Sequence, residues 1–145
     1  MEKLLPSPEH FRVETPLVVR WGDLDALQHV NNTRYLTYCE MANFEWFAKV
    51  APGQQLLDAP VYPVLARAEC DFLASVTYPA TLRILTRAIR VGHSSLCLEH
   101  LIRDAETGKN HALVHLTLVF IDRVAHHAQP VPEDIRARVR ELDGI

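Results

Sequence analysis

"NTRYLTYCEMANFEWFAKV", residues 32–50, contains neither glycine nor proline and shows no two-residue alternation. A helix is the reading that remains. On a helical wheel Tyr35, Leu36, Tyr38, Cys39, Met41, Ala42, Phe44, Trp46 and Phe47 leave only narrow polar gaps. A helix apolar on nearly every side is one that other structure surrounds. Glu40 stands on it, and a carboxylate enclosed there would need a partner; a hydrogen-bonded structural role is preferred for it over that of a second acid. Asn31 or Asn32 is the expected N-cap, since a short amide side chain accepts from an early helical N–H.

The surrounding structure must come from the flanks. From Phe11 to Trp21 the chain alternates, with Phe11, Val13, Thr15, Leu17, Val19 and Trp21 on one side, which predicts a strand. After a loop, "APGQQLLDAP", four strand-like runs follow at about 61–75, 81–91, 94–104 and 110–121, separated by "TYPAT", "VGHSS" and "DAETGKN". In the first of these Val64, Ala66, Ala68, Cys70 and Phe72 are expected to share a face. In the last, Ala112, Val114, Leu116, Leu118 and Phe120 form an unbroken apolar face. "VPEDIRARVRELDGI" opens on proline and acids and continues with bases, as a short terminal helix does. One apolar helix and one antiparallel sheet with short connections predict a two-layer α+β domain spanning residues 1–145, the sheet wrapped around the helix.

The totals narrow the class. At 145 residues the chain holds one sizeable core, and its 23% charged and 48% hydrophobic residues are ordinary for a globular protein. A net charge of −3 speaks against a nucleic-acid surface. No run reaches the roughly 18 apolar residues of a membrane span, and "MEKLLPSPEH" lacks the apolar stretch of a secretory signal. Cys39, Cys70 and Cys97 are odd in number and lie within apolar runs, which fits buried free thiols in a reducing compartment. A cytoplasmic protein is therefore expected. His111 and His115 lie about 13 Å apart along one strand at ~3.3 Å per residue, too far to share a metal, so no metal site is expected. "HH" at 126–127 reads as a solvated connector. Neither a G-x-S-x-G elbow nor a phosphate-binding glycine loop is present.

The chemistry concentrates just before the helix, in "GDLDALQHVNN", residues 22–32. A helix N-terminus offers unpaired N–H donors and a partial positive charge, and so attracts developing negative charge. A carboxylate on the preceding loop can activate water as a general base or attack a carbonyl directly. Asp25 suits both roles. Asp23 reads as a turn and capping residue. His29 orients the loop or lines a pocket, Asn31 and Asn32 are cap and loop hydrogen-bonders, and Tyr35 and Tyr38 are core or pocket wall.

Residues 20–47, "RWGDLDALQHVNNTRYLTYCEMANFEWF", resemble the hotdog-fold acyl-CoA thioesterases of the 4-hydroxybenzoyl-CoA thioesterase-like branch. That branch shows a strand ending in R/Y-x-x-D-x-D, a turn with H-V-N-N, and Y-x-x-Y-x-E on the central helix. Here these are Asp23, Asp25, His29, Val30, Asn31, Asn32, Tyr35, Tyr38 and Glu40. Weaker likeness continues through "RAECDFLASVTYPATLRI" and "RVGHSSLCLEHLIRD". The resemblance implies a hotdog fold, a five-stranded antiparallel sheet around a long central helix. It implies hydrolysis of an acyl-CoA thioester, with the essential carboxylate on Asp25 and the amides near Val30 and Asn31 polarising the carbonyl. His29, Asn32 and Tyr35 complete the expected substrate contacts. Coenzyme A is part of the substrate, so no cofactor is expected. A homodimer or homotetramer with the active site at the subunit boundary is implied. Two positions depart from the branch: Gln28 stands where it usually has glycine, and Asn43 where it often has arginine. Arg87, Arg90, His93, Ser94 and Ser95 are candidate contacts for the coenzyme, since its phosphates need local basic or polar groups. The rival expectations are a hydratase or dehydratase on the same fold, using Asp25 with His29, and a non-catalytic acyl-CoA or acyl-carrier binding module.

Overall fold

The computed structural model describes residues 4–53 and 58–145; positions 54–57 of the loop read at 51–60, and the first three of the N-terminal stretch, lie outside the described residues. The chain runs through β1 (Val13–Val18), α1 (Arg34–Val50), β2 (Val61–Phe72), β3 (Thr81–Val91), β4 (Ser95–Asp104), β5 (Asn110–Asp122) and α2 (Glu133–Asp143). The strands form one sheet in the order β1-β3-β4-β5-β2, every neighbouring pair antiparallel. This is the expected hotdog arrangement. The run Ala112, Val114, Leu116, Leu118 and Phe120 is buried against α1 as its alternation required. Opposite it α1 presents Tyr38, Cys39, Ala42, Trp46, Phe47 and Val50 to the sheet. All three cysteines are free thiols.

Four local expectations are corrected. The first strand stops at Val18, and Trp21 does not join its buried face. The chain tightens into a single 3₁₀ turn at Trp21–Asp23, where the Asp23 and Leu24 amides close back on Arg20 and Trp21, and Trp21 is left 76% exposed. The cap of α1 is Thr33, whose amide donates to the Asn31 side chain at 2.9 Å; Asn31 therefore acts two positions before the cap.

In β2 a bulge between Leu65 and Arg67 shifts the alternation. Ala68, Cys70 and Phe72 pair with the helix-facing residues Leu116, Val114 and Ala112, whereas Val64 pairs with Val119 on the other face. Leu65 and Pro63 thereby turn toward α1. Finally, the helix is not enclosed. β1 and β3 lie against it, but toward β2 a groove of about 300 Å³ stays open, bordered by Leu36, Glu40, Asn43, Phe44, Pro63 and Leu65. Glu40 is exposed there, so it needs no buried partner, and Leu36, Met41 and Phe44 also reach solvent.

α2 docks Ile135 and Val139 against Trp46 and Val50, and ends at Gly144, whose positive φ terminates the helix. Its last residue is a latch. One oxygen of Asp143 accepts from the Trp46 indole N–H at 2.9 Å and from the Ala88 amide at 2.8 Å. Burial raises this carboxyl above its ordinary 3.8, outweighing the opposing hydrogen bonds. A carboxyl raised by folding stabilises most while it is protonated, and that contribution fades as pH climbs through its folded value. Denaturant midpoints of Asp143→Asn are therefore expected to vary less with pH than those of the parent as pH rises above about 4. Parallel profiles would contradict this.

Candidate active site

The segment between β1 and α1 is built around two aspartates with opposite fates. Asp23 is tied down: its Oδ2 accepts from the Tyr38 hydroxyl at 2.6 Å and the Arg20 amide at 3.0 Å, and Arg34 Nε stands 3.7 Å from Oδ1. Burial pushes this carboxyl up, but the two hydrogen bonds and the charges of Arg34 and Arg20 outweigh it and hold it below its ordinary value. Asp23 is thus the structural residue it was expected to be, and it pins the loop to α1. Burial, with Asp23 beside it, pushes the Tyr38 hydroxyl well up, so that side chain stays a neutral donor.

Asp25 sits at the base of a small closed loop. Leu24 and Val30 form an antiparallel bridge, the Asp25 amide donates to the His29 carbonyl at 2.9 Å, and the Gln28 amide returns to the Asp25 carbonyl at 3.0 Å. Asp25 Oδ1 accepts from the Leu27 amide at 2.9 Å and from that of His29 at 3.5 Å. Among the described residues nothing bonds to Oδ2, so one carboxylate oxygen is oriented while the other is free.

The turn requires Gln28 to adopt φ +63, the left-handed region. At the position where the resemblance led to an expectation of glycine, a side chain is thus held in a glycine-like conformation, at about 1 kcal/mol of strain.

The amides do not serve as expected. Val30 N–H donates to the Val76 carbonyl and Asn31 N–H to the Asp23 carbonyl, each at 2.9 Å, so neither faces a substrate. The Thr33, Arg34 and Tyr35 amides turn back on Asn31 and Asn32. Asn32 N–H, like those of Gly22 and Ala26 earlier in the segment, has no partner among the described residues. It stands just before the N-terminus of α1, where the helix dipole adds to its pull.

A recess of about 380 Å³ brings Asp25, His29, Val30, Asn32 and Tyr35 together with Phe72, Leu73, Ala74 and Ser75. Asn31 is absent from its lining, since its side chain bonds to Thr33. Tyr35 stacks edge-on to Phe72, ring centres 5.0 Å apart, and burial raises its hydroxyl. The residues from 72 to 75 were missed in the sequence. They leave the end of β2 and are held where they are by the Leu73 and Ala74 amides, both donating to the His111 carbonyl, while His111 Nδ1 donates to the Ala74 carbonyl at 3.0 Å. Asp25 and His29 also border a second, larger recess of about 750 Å³, lined by residues of 21–29 with Thr77 and Tyr78.

The candidate coenzyme contacts are not part of this site within the chain. Arg87 pairs with the buried Glu99, which His115 also holds at 2.8 Å, and its guanidinium lies over the Phe11 ring. Arg90 lies on that same outer face of the sheet, near Cys97, His115 and Thr117. His93 and Ser94 lie in the turn after β3 and Ser95 opens β4; the His93 carbonyl accepts from the Val131 amide and from Arg136 of α2, that of Ser94 from the Phe120 amide of β5, and that of Ser95 from the Gly92 amide. That turn is separated from the Asp25 end of the sheet by the length of β3, about 33 Å at ~3.3 Å per residue. Basic composition near a turn says nothing of which end of the sheet the turn occupies. Among the described residues no three His, Cys, Asp or Glu side chains lie close enough to hold a metal ion, and no helix is long and apolar enough to cross a membrane.

Residues 19–139 match the model of the thioesterase-like superfamily. A thioesterase from Thermus thermophilus, crystallised with coenzyme A and Zn, is 34% identical; the alignment covers 94% of this chain and 98% of that one, with a TM-score of 0.83. The PA2801 protein of Pseudomonas aeruginosa is 36% identical over 87% of this chain and 96% of its own, with a TM-score of 0.79. The Bacillus subtilis protein YsmA is 31% identical over 88 residues, 61% of this chain, and the match spans 58% of YsmA. The chain belongs to the thioesterase-like superfamily.

Proposed function

We propose that the protein hydrolyses acyl-CoA thioesters to the free acid and coenzyme A. One observation carries this reading: an unengaged oxygen of Asp25 and the unengaged N–H of Asn32 belong to residues that line one recess at the N-terminal end of α1. Attack on a thioester turns its carbonyl oxygen into an oxyanion, and a donor held in place for it supplies about 3 kcal/mol. Asp25 either takes a proton from the attacking water or attacks itself to give an anhydride that water then opens. In both routes the carbon–sulfur bond breaks and the coenzyme leaves as a thiolate that picks up a proton. Superfamily membership and the coenzyme A held by the Thermus thermophilus relative support the choice of thioester. Colorimetric detection of released thiol from a set of CoA esters tests it. Loss of enoyl absorbance without thiol release would instead mark a hydratase, and saturable binding with neither reaction a binding module.

The same reading includes self-association. Leu36, Phe44 and Leu65 are exposed along the groove beside α1, β2 leaves a free sheet edge next to the recess, and such edges are ordinarily covered. Light scattering is expected to give two or four times the 16.5 kDa chain mass. A single-chain mass would overturn this part.

A further inference from the structure

We propose that His111 is a positioning residue for the Asp25 site: it holds the segment 72–76, and through it the wall of the smaller recess and the loop that carries the carboxylate. The inference rests on the thioesterase reading. It gives a role to a side chain that lines neither recess.

His111 is the extra residue of a β-bulge. Ile102 pairs with Ala112 and Arg103 with Asn110, so His111 has no register partner on β4. On its other side the ladder with β2 ends at the pair Phe72 and Ala112, one residue short of it. A bulge re-aims a side chain or stops pairing, and this one does both. The His111 carbonyl accepts from the Leu73 and Ala74 amides at 2.9 and 3.2 Å, and its Nδ1 donates back to the Ala74 carbonyl at 3.0 Å. One residue thus fixes the chain where it leaves β2.

His111 is only 6% exposed. Burying a ring N–H is unfavourable unless a hydrogen bond compensates it, so bulk alone would be better served by leucine. The compensating bond goes to Ala74, which lines the smaller recess with Phe72, Leu73 and Ser75. Further along, Val76 is fully buried; its amide hydrogen-bonds the Tyr35 hydroxyl and its carbonyl accepts from the Val30 amide at 2.9 Å. Val30 in turn bridges Leu24 and closes the loop around Asp25. The path from the imidazole to the carboxylate is therefore continuous and mostly backbone. A reacting group displaced by about 1 Å can lose on the order of a hundredfold in rate.

Three replacements test this. Asn sets an N–H close to where Nδ1 stands, Gln sets one where Nε2 stands, and Leu keeps the bulk without a donor. His111→Leu and His111→Gln are both expected to lower kcat/KM for CoA esters by about tenfold or more, mostly in kcat, and His111→Asn to stay within about threefold of the parent. A histidine that only fills space would leave kcat unchanged in every folded variant. Hydrogen exchange gives a readout independent of turnover. The Ala74, Val76 and Val30 amides are expected to exchange about tenfold faster or more in His111→Leu and His111→Gln. Those of Phe120 and Val131, whose partners Ser94 and His93 lie at the opposite end of the sheet, are expected to keep the parent rate. Parent kcat in the Leu and Gln variants, no recovery in His111→Asn, or faster exchange spread evenly through the sheet would overturn the inference. A protein that cleaves no ester but shows the local quickening would overturn the thioesterase reading and leave the hold of His111 on the segment standing.

Discussion

Asp25→Asn is expected to lower thiol release from CoA esters by on the order of a thousandfold, the scale of a lost general base or nucleophile. The amide is the informative replacement. Its oxygen still accepts from the Leu27 and His29 amides, so the loop keeps its shape while the free oxygen becomes an NH₂ that can neither take a proton nor attack. Substrate affinity, measured with a non-cleavable thioether, is expected to stay within about threefold, since the interaction removed belongs to the transition state. A variant that retains more than a tenth of the parent rate would remove Asp25 from the reaction. One that loses affinity in proportion to rate would make it a binding residue instead.

The second large effect concerns the other aspartate. Asp23→Ala is expected to cost about 2–4 kcal/mol of folding stability, because a charged acceptor of two hydrogen bonds is lost and the Tyr38 hydroxyl, part-buried on α1, is left without one. The Asp23 side chain is only 13% exposed, so water replaces it poorly. Urea denaturation measures the loss, and a difference under about 0.5 kcal/mol would refute it. The pH dependence supplies a sign. Because the fold holds this carboxyl below 3.8, its contribution is complete above that value and disappears as the solution acidifies through the lower folded pKa. Asp23→Ala should therefore lose less stability on acidification than the parent. Activity should fall with stability, since Asp23 joins the turn before Asp25 to the helix that follows it.

The sheet and helix were readable because each buried face is an unbroken series at fixed period: Ala112 to Phe120 at two, and the apolar run of α1 at 3.6. Asp25 was readable because a helix start needs few polar groups and this one has many. Other features depend on pairings that residue types do not reveal. The bulge at Ala66 moves Val64 to the other face with no glycine or proline between Leu65 and Arg67 to mark it. Glu40 is exposed because the sheet covers only part of α1, which depends on strand order. The amides of Val30 and Asn31 were assigned to substrate because they precede a helix, but backbone partners on Val76 and Asp23 claim them first, and Val76 lies 46 residues downstream. The basic and polar residues around the β3–β4 turn suggest a phosphate contact by their chemistry, but the position of that turn is set by the direction of β3.

The ring of contacts from Leu24 to Val30 has a kinetic meaning. With its amide, its carbonyl and one of its carboxylate oxygens all committed to the loop, Asp25 has little conformational freedom left to give up when a ligand arrives. On the proposed reaction, the expense of aiming the Asp25 oxygen would be met once, when the chain folds, and not in each turnover.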